Sequence, residues 1–482
     1  MNTHLLALQL MAVQGCLGAF DTLYHHELTE ALPGRAGAGR ELSIHAVRAL
    51  IYCALFIGLA GWVFQGVWAL VLLAVFAVEV VLTLWDFVVE DRTRLLPATE
   101  RVTHTVLAMN GGAFIALLAL DTPAALAMPT ALVWQPHGAL SVFLALCGVG
   151  VGVSGLRDAL AARALGQLAL RGDTAPAPSF SAAPRDFLVT GATGFIGQRL
   201  VRALLRDGHR VTVLTRQVRR AAWIFDGRVD CVGAMDQLPP SRRIDVVINL
   251  AGARILGWRW SAARRAALHK SRIELTRKVV DWIATAEHKP IMMLSASAIG
   301  YYGIQRRGDD TVLTENAGPQ PMFMSDLCRE WEQAAQGAEA HGVGVACMRF
   351  GLVLGTQGAL PMLLLPIKLG LGGPLGGGAQ WQSWIHVDDL IGGIAHLCRS
   401  GAGGVYNFTA PEALSQAEFS RVAATVLHRP YGLPTPGWPM RILLGEQSDL
   451  LLEGQRVAPA RLTAGGYTFR YPRLEDALRS LT

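Results

Sequence analysis

Apolar residues run in long unbroken stretches through the first third of the chain. Beyond it they occur in short runs separated by polar or glycine-rich segments. Stretches at 5–20, 46–64, 67–89, 102–120 and 139–156 are each near the length that carries a helix across a bilayer core. They predict an all-α bundle of about five transmembrane helices over residues 1–164. The first stretch holds Gln9 and Gln14 and has no basic segment before it, so it reads as a retained helix rather than a secretory signal.

After this region the pattern changes. Short β-rich runs at 186–190, 210–215, 244–252, 290–297 and 343–350 alternate with helical patterns at 198–207, 272–287 and 323–341. Alternation of this kind predicts an α/β domain with a doubly wound parallel sheet of the Rossmann type. Between the two regions, residues 165–185 are rich in small residues and proline and predict an extended linker.

Composition sharpens this division. Only 17% of residues are charged, against about 25% in an ordinary soluble domain, and the shortfall is deepest in the apolar first third. Arginine sets the orientation: Arg35, Arg40 and Arg48 follow the first stretch, Arg92, Arg94 and Arg101 the third, and Arg157, Arg163 and Arg171 the fifth. The connections after the second and fourth stretches hold neither Arg nor Lys. The positive-inside bias then predicts an integral membrane protein, of the inner membrane in a bacterium, with its N-terminus outside and its α/β domain cytoplasmic. The net charge of +6 comes from scattered arginines, and the lysines are only Lys270, Lys278, Lys289 and Lys368, which argues against a nucleic-acid partner. The 7 cysteines stand singly and imply no oxidising compartment.

The strand at 186–190 runs into Gly191-Ala192-Thr193-Gly194-Phe195-Ile196-Gly197 and then a helical pattern. Glycines in such a turn let backbone N–H groups approach a pyrophosphate, whose charge the helix N-terminus stabilises. Gly191, Thr193, Gly194, Phe195, Ile196 and Gly197 are therefore candidate cofactor-binding residues, joined by Leu250, Ala251 and Gly252 at the end of a later strand. The second strand ends at Thr215 and Arg216, where a domain selective for NAD carries an acid. Arginine there suits a 2′-phosphate, so the expected cofactor is NADP(H), with Arg219 and Arg220 as possible substitutes.

Together with Asn249-Leu-Ala-Gly252, Ser295-Ala-Ser297-Ala-Ile-Gly-Tyr301-Tyr302-Gly303, Arg349-Phe-Gly-Leu-Val-Leu-Gly355 and Trp384-Ile-His386-Val-Asp-Asp389, the glycine turn resembles the extended short-chain dehydrogenase/reductases. The run 372–386 and the tails 454–462 and 466–472 resemble the NAD(P)-dependent epimerase-family branch, which ends in a small domain of unknown function. That resemblance implies an NAD(P)-binding domain over 186–429 and a C-terminal domain over 430–482. The membrane region resembles no family we can name.

The resemblance also implies a catalytic hydroxyl at Ser297, with Ser295 as its neighbour, and a Tyr-x-x-x-Lys pair about 25 residues later. Those positions hold Phe323 and Leu327, so the usual acid/base is missing. Tyr302, with Arg306 four residues on, imitates the pair at the wrong place in the fold; Glu330, on the helix of the missing dyad, is a further candidate acid. Tyr301, Trp258, Trp384 and His386 are expected to line a substrate site, and Asp389 to sit as a charge partner at a helix N-terminus.

In the apolar region Asp21, His25, Asp86, Glu90 and His104 are expected near one membrane face and are candidates for metal ligation. Two functions follow. One is a membrane-tethered NADP-dependent oxidoreductase or epimerase-like enzyme acting on an apolar, lipid-soluble small molecule. The other is a catalytically degenerate NADPH-binding sensor or assembly factor coupled to its membrane helices. Small-molecule substrate and lipid bilayer are the expected partners.

Overall fold

The computed structural model describes residues 3–29, 32, 38–93, 96–171, 178–255 and 259–482; Arg35, Arg94 and Trp258 lie outside them. The chain forms two compact units, Met1–Thr174 and Ala175–Thr482.

The first unit is built from α1 (Thr3–Phe20), α2 (Gly39–Gly61), α3 (Val67–Thr93), α4 (Ala98–Leu126) and α5 (Ala139–Arg171). These give 5 helices long and apolar enough to cross a membrane. Each has an inner stripe, with Leu8, Met11, Phe56, Phe76, Phe114 and Leu144 forming the core. The outward faces are apolar too, Val81, Met109, Leu120 and Leu146 being more than half exposed. α2 and α5 approach closely because small residues face each other: a Cβ on Gly152 would stand 2.9 Å from Cys53 Sγ, and one on Gly155 2.7 Å from Ala49 Cβ.

Three expectations are corrected here. The unit is not all helical, since β1 (Trp62–Gln65) and β2 (Ala131–Trp134), both rich in aromatic and β-branched residues, pair antiparallel across the two Arg-free connections. The helices outrun their apolar stretches, because backbone hydrogen bonding within a helix continues through polar turns. Arg48 and Arg157 are thus helical residues rather than connection residues, paired with Glu79 and Asp86 and with Asp158 respectively. For the same reason α5 continues to Arg171, into the expected linker.

In the second unit the strands are β3 (Asp186–Thr190), β4 (Arg210–Leu214), β5 (Asp230–Val232), β6 (Val246–Asn249), β7 (Met292–Ala298), β8 (Gly344–Phe350), β9 (Leu352–Leu354), β10 (Trp381–Gln382), β11 (Trp384–His386), β12 (Gly404–Phe408) and β13 (Leu414–Ser415). Seven of them form a parallel sheet in the order β12-β8-β7-β6-β3-β4-β5, while β9 pairs with β11 outside it. The two-residue period of the strands divides the core. Phe187 and Val189 of β3, Val246 and Ile248 of β6, and Met292 and Leu294 of β7 face one layer; Leu188, Val247 and Met293 face the other.

The helices covering these layers are α6 (Phe195–Arg206), α7 (Val218–Ile224), α8 (Ala262–His269), α9 (Leu275–Thr285), α10 (Phe323–Gln336), α11 (Leu360–Lys368) and α12 (Val387–Ser400). α6 and α12 bury Leu200, Leu204, Leu390 and Ile394 on the first side, and α9 buries Val279 and Ile283 on the second. Burial on both faces is why these strands read as continuous apolar runs. β4 and β6 lie on opposite sides of β3, so the topological switch falls beside β3 at the carboxyl edge, the place where such sheets bind ligands.

Candidate functional site

At that switch the chain leaves β3 through Gly191, whose φ of +70° is left-handed and whose Cβ would meet Leu250 O at 2.7 Å. Leu250 and Ala251 thereby pack against the turn. Gly197 is needed for a different reason: a Cβ there would stand 2.3 Å from Gly191 O, so α6 can lie this close to β3 only with glycine. Gly194 caps α6 with no side-chain hydrogen bond, which leaves the first-turn N–H groups of Phe195, Ile196 and Gly197 directed at the crevice. Thr193 braces the turn by accepting from Gln198 Nε2 at 2.9 Å. Thr215 and Arg216 follow β4; Thr215 Oγ1 accepts from Gln217 N at 3.1 Å, and Arg216 is exposed with no ion pair among the described residues. An uncapped helix N-terminus over a glycine turn, with an uncommitted arginine at the end of the next strand, is a donor set that fits a phosphorylated dinucleotide.

Beneath the crevice a buried network fixes the strand ends. Thr190 Oγ1 donates to Asn249 Oδ1 at 2.7 Å, and Asn249 Nδ2 donates to Thr276 Oγ1 at 2.8 Å and to Ser295 Oγ at 3.2 Å. Ser295 is thus a framework residue, 1% exposed. Gly252 has its Cβ position 3.0 Å from the Arg272 guanidinium, which donates to Ala253 O at 3.0 Å. Burial lowers the pKa of Arg272, whose other close partners are the Leu268 carbonyl, the Ser271 hydroxyl and the Trp331 ring.

Ser297 enters a second buried network. Its hydroxyl donates to Glu332 Oε1 at 2.7 Å, and Arg349 holds the same carboxylate through Nε and Nη2, each at 2.8 Å. Arg349 Nη1 reaches Tyr302 OH at 3.0 Å, Tyr302 OH donates to Asn407 Oδ1 at 2.7 Å, and the Tyr301 ring lies 3.3 Å from the guanidinium carbon. Burial works against the charge on Arg349, but the Glu332 carboxylate outweighs it and raises the guanidinium pKa. Burial raises the Tyr302 phenol pKa, with Arg349 opposing it in part. A buried phenol with a raised pKa does not reproduce the activated tyrosine of a Tyr-Lys pair.

The pocket beside these networks, about 300 Å³ in volume, opens at the carboxyl edge after β7 and β8. Ala298, Ile299, Phe323, Phe350 and Trp381 give it apolar walls, while Glu446, Asp449 and Glu453 arrive from the C-terminal segment. Phe323 therefore occupies the wall where the expected tyrosine would stand. Leu327, 3% exposed, packs with Ala296, Met324 and Trp331, an environment that would strip a lysine of water. Of the three carboxyls, Glu453 pairs with Arg441 at 2.7 Å and Glu446 pairs with Arg265. Asp449 has no ion pair among the described residues, and burial raises its pKa, with Arg441 opposing and Glu453 and Glu446 adding to the rise.

Several expected site residues lie elsewhere. Glu330 is a surface carboxylate paired with His269 at 2.9 Å. Trp384 is fully buried among Leu354, Leu360 and Phe419, because β11 turns it inward. His386 caps α12 by accepting from Asp388 N at 3.1 Å; burial first, then Arg199 and Arg470, press its pKa down to about 3, so it stays neutral. Asp389, expected as a charge partner at the helix start, instead accepts from Arg470 N, Tyr471 N and Tyr467 OH and ties the C-terminal segment to α12. Trp258 lies outside the described residues.

On the helix of the missing dyad the sequence favours Glu330 over its neighbour Glu332, and it gives no sign of Asp449. Glu332 follows Cys328 by four residues on the buried stripe of α10, and its partner Arg349 interrupts an apolar strand, which is a legible signal. Asp449 carried none, since its place in the pocket depends on how a distant segment folds back.

In the helical unit, Asp21, Asp86, Glu90 and His104 come together at one end of the bundle, joined by His26, Glu41, His45 and Glu100. His25 is buried beside Phe20 and Tyr24, within 3.4 Å of Thr103 Oγ1, and is in none of the converging donor groups. Glu41 and Glu100 had a signal in the sequence: each precedes a histidine by four residues on a helix.

The profile of the NAD dependent epimerase/dehydratase family matches residues 187–408, and that of a domain of unknown function, DUF1731, matches 435–481. The chain is 42% identical over 302 residues to the chloroplastic epimerase family protein SDR39U1 homolog of Arabidopsis thaliana, covering 61% of this chain and 85% of the relative. With the epimerase family protein YfhF of Bacillus subtilis it shares 38% identity over 302 residues, 61% of this chain and 96% of the relative. Among solved structures, human epimerase family protein SDR39U1 (isoform 2) with NADPH is similar at 31% identity and a TM-score of 0.55, covering 61% of this chain and 98% of that one. With 42% identity across 85% of an epimerase family relative, this chain belongs to the NAD dependent epimerase/dehydratase family.

Proposed function

We propose that the chain is an NADP(H)-dependent reductase or epimerase-like enzyme, anchored in a membrane by its five helices and acting on a small apolar substrate. The observation that carries this reading is the pocket at the carboxyl edge, apolar on the Phe323 side and holding Asp449, a carboxyl with no ion pair among the described residues. NADPH in the human relative and the placement of Arg216 here both support NADP(H) as the cofactor. Bound nicotinamide supplies the hydride. The first turn of α6 would hold the pyrophosphate and Arg216 the 2′-phosphate, while the apolar pocket wall would orient the substrate and exclude water. Asp449, whose carboxyl pKa burial raises, is the group we assign to give the proton that the missing tyrosine would give.

Membrane anchorage rests on apolar outward faces around a polar inner end, the reverse of a soluble bundle. On the arginine bias the N-terminus lies outside and the α/β unit in the cytoplasm. A reporter at Gln135 is expected to read external and one at Pro97 internal, and the opposite result removes the orientation.

A second reading, an NADPH-binding sensor, draws on Phe323, Leu327 and the engagement of the Ser297 hydroxyl by Glu332. Purified chain mixed with NADPH and a panel of quinones, aldehydes and keto-lipids separates the two. Consumption of NADPH, with kcat lowered about 100-fold by Asp449→Asn at unchanged NADPH affinity, is the expected outcome. The rate should fall as pH rises through a raised carboxyl pKa, and Asp449→Asn should abolish that limb. Saturable binding without consumption favours the sensor.

A further inference from the structure

We propose that the polar end of the helical unit is a divalent transition-metal centre with two adjacent cation positions joined by Glu90. Nothing in the dinucleotide reading requires it. α2 and α4 each start with a Glu and a His four residues apart, Glu41 with His45 and Glu100 with His104, and so present a carboxylate and an imidazole on one face. The donor atoms of Glu41, His45 and Glu90 lie within 4.8 Å of one another, and so do those of Glu90, Glu100 and His104.

Glu90 serves both groups. Its Oε1 is 3.8 Å from His45 Nε2, and its Oε2 is 3.3 Å from His104 Nδ1. Two ligands each about 2.1 Å from one ion stand roughly 3.0–3.4 Å apart, so the His104 side is already near coordination spacing. The far nitrogen of His104, Nε2, meets Asp21 Oδ2 at 3.2 Å, the outer carboxylate that fixes the tautomer and ring of a metal-binding histidine.

A second observation points the same way. Asp21 Oδ1, Asp86 Oδ1 and His45 Nδ1 are buried with no hydrogen-bond partner, on residues 7%, 2% and 8% exposed. Arg48 takes up Asp86 Oδ2 and Glu79 and leaves those atoms as they are. Stranded polar atoms at membrane depth are costly unless something binds them. Imidazole with carboxylate donors and no sulfur selects Fe, Mn or Zn over Mg, Ca or Cu(I). A cavity of about 400 Å³, lined by Asp21, His45, His104, Tyr52, Phe56 and Phe87, opens on the same groups and gives an apolar molecule room beside the ions.

The test is elemental analysis of the full chain, purified in detergent without chelator or histidine tag, then stripped and reloaded with Fe²⁺, Mn²⁺ or Zn²⁺. About two ions per chain are expected, and His45→Ala should lower that to about one. Glu90→Gln, nearly the same shape, should lower the content about tenfold while NADPH binding stays unchanged, and His137→Ala should change nothing. One ion per chain or fewer in the reloaded parent overturns the paired centre. Parent-level metal in Glu90→Gln overturns it equally, by showing that the ions are adventitious. Should Glu90→Gln fail to fold, the parent alone decides: a Tm that rises on reloading together with about two ions supports the centre, and an unchanged Tm overturns it.

Discussion

Both units bury ionisable groups, and they treat them in opposite ways. In the α/β unit the Glu332 carboxylate is held by Arg349 and Ser297, and Arg349 goes on to Tyr302 and Asn407. Among the described residues of that unit no carboxylate or imidazole atom is buried without a hydrogen bond. In the helical unit Asp21 Oδ1, Asp86 Oδ1 and His45 Nδ1 are left so, beside groups that converge on common points. A buried network that satisfies its own members fixes a fold, whereas one that leaves carboxylate and imidazole atoms over keeps the capacity to take a ligand. Ser297, placed by resemblance at the reaction centre, has its hydroxyl engaged in this satisfied network.

The comparison breaks if the Glu332 network proves dispensable. Glu332→Ala strands a buried guanidinium and is expected to cost the α/β unit about 3–5 kcal/mol, read as a lowered denaturant midpoint. The double change Glu332→Leu with Arg349→Met should recover most of that loss and keep NADPH binding, since it removes both charges. A single variant as stable as the parent would mean that the network holds nothing together.

A smaller effect follows from His386. Its folded pKa of about 3 lies below the unfolded value near 6.5, so its neutral burial contributes stability that is complete above pH 6.5 and lost as pH falls toward 3. Near pH 5 the loss should be about 2 kcal/mol, and His386→Gln should flatten that part of the stability profile. An unchanged slope would show that another group titrates there.

The smallest expected effect is on the cofactor alone. Arg216→Asp should weaken NADPH binding about tenfold, about 1.4 kcal/mol, and leave NADH binding and the metal content of the helical unit unchanged. Equal affinity of the parent for both dinucleotides would make Arg216 a surface residue.

Much of the fold was legible because it rests on local pattern. β3 runs over Asp186–Thr190 as the apolar run predicts, and α6 begins at Phe195, directly after the glycine turn. β5 and β12 escaped notice, the first because Asp230-Cys-Val is too short to show a period and the second because polar Asn407 interrupts it. The site was legible only where chemistry is carried by consecutive residues. Gly191 to Gly197 work through backbone geometry within one turn, so spacing alone locates them. Trp384 and His386 lie in a motif that resembles the family's but face inward, and no local pattern distinguishes an aromatic that lines a pocket from one that fills a core.

By itself the sequence determined the division into an apolar helical region and an α/β region, the parallel sheet and the dinucleotide turn, while the resemblance to the reductases supplied the expectation that Phe323 and Leu327 stand where a Tyr-Lys pair would be. Each depends on periodicity, side-chain volume or residue identity along one stretch of chain. Only the tertiary structure decided that Ser297 serves Glu332, that Asp449 of the C-terminal segment enters the pocket at the sheet edge, and that Glu90 stands between His45 and His104. Those pairings join residues far apart in the chain, and short-range contacts, which a linear pattern records, carry no information about which distant side chain completes a buried charge.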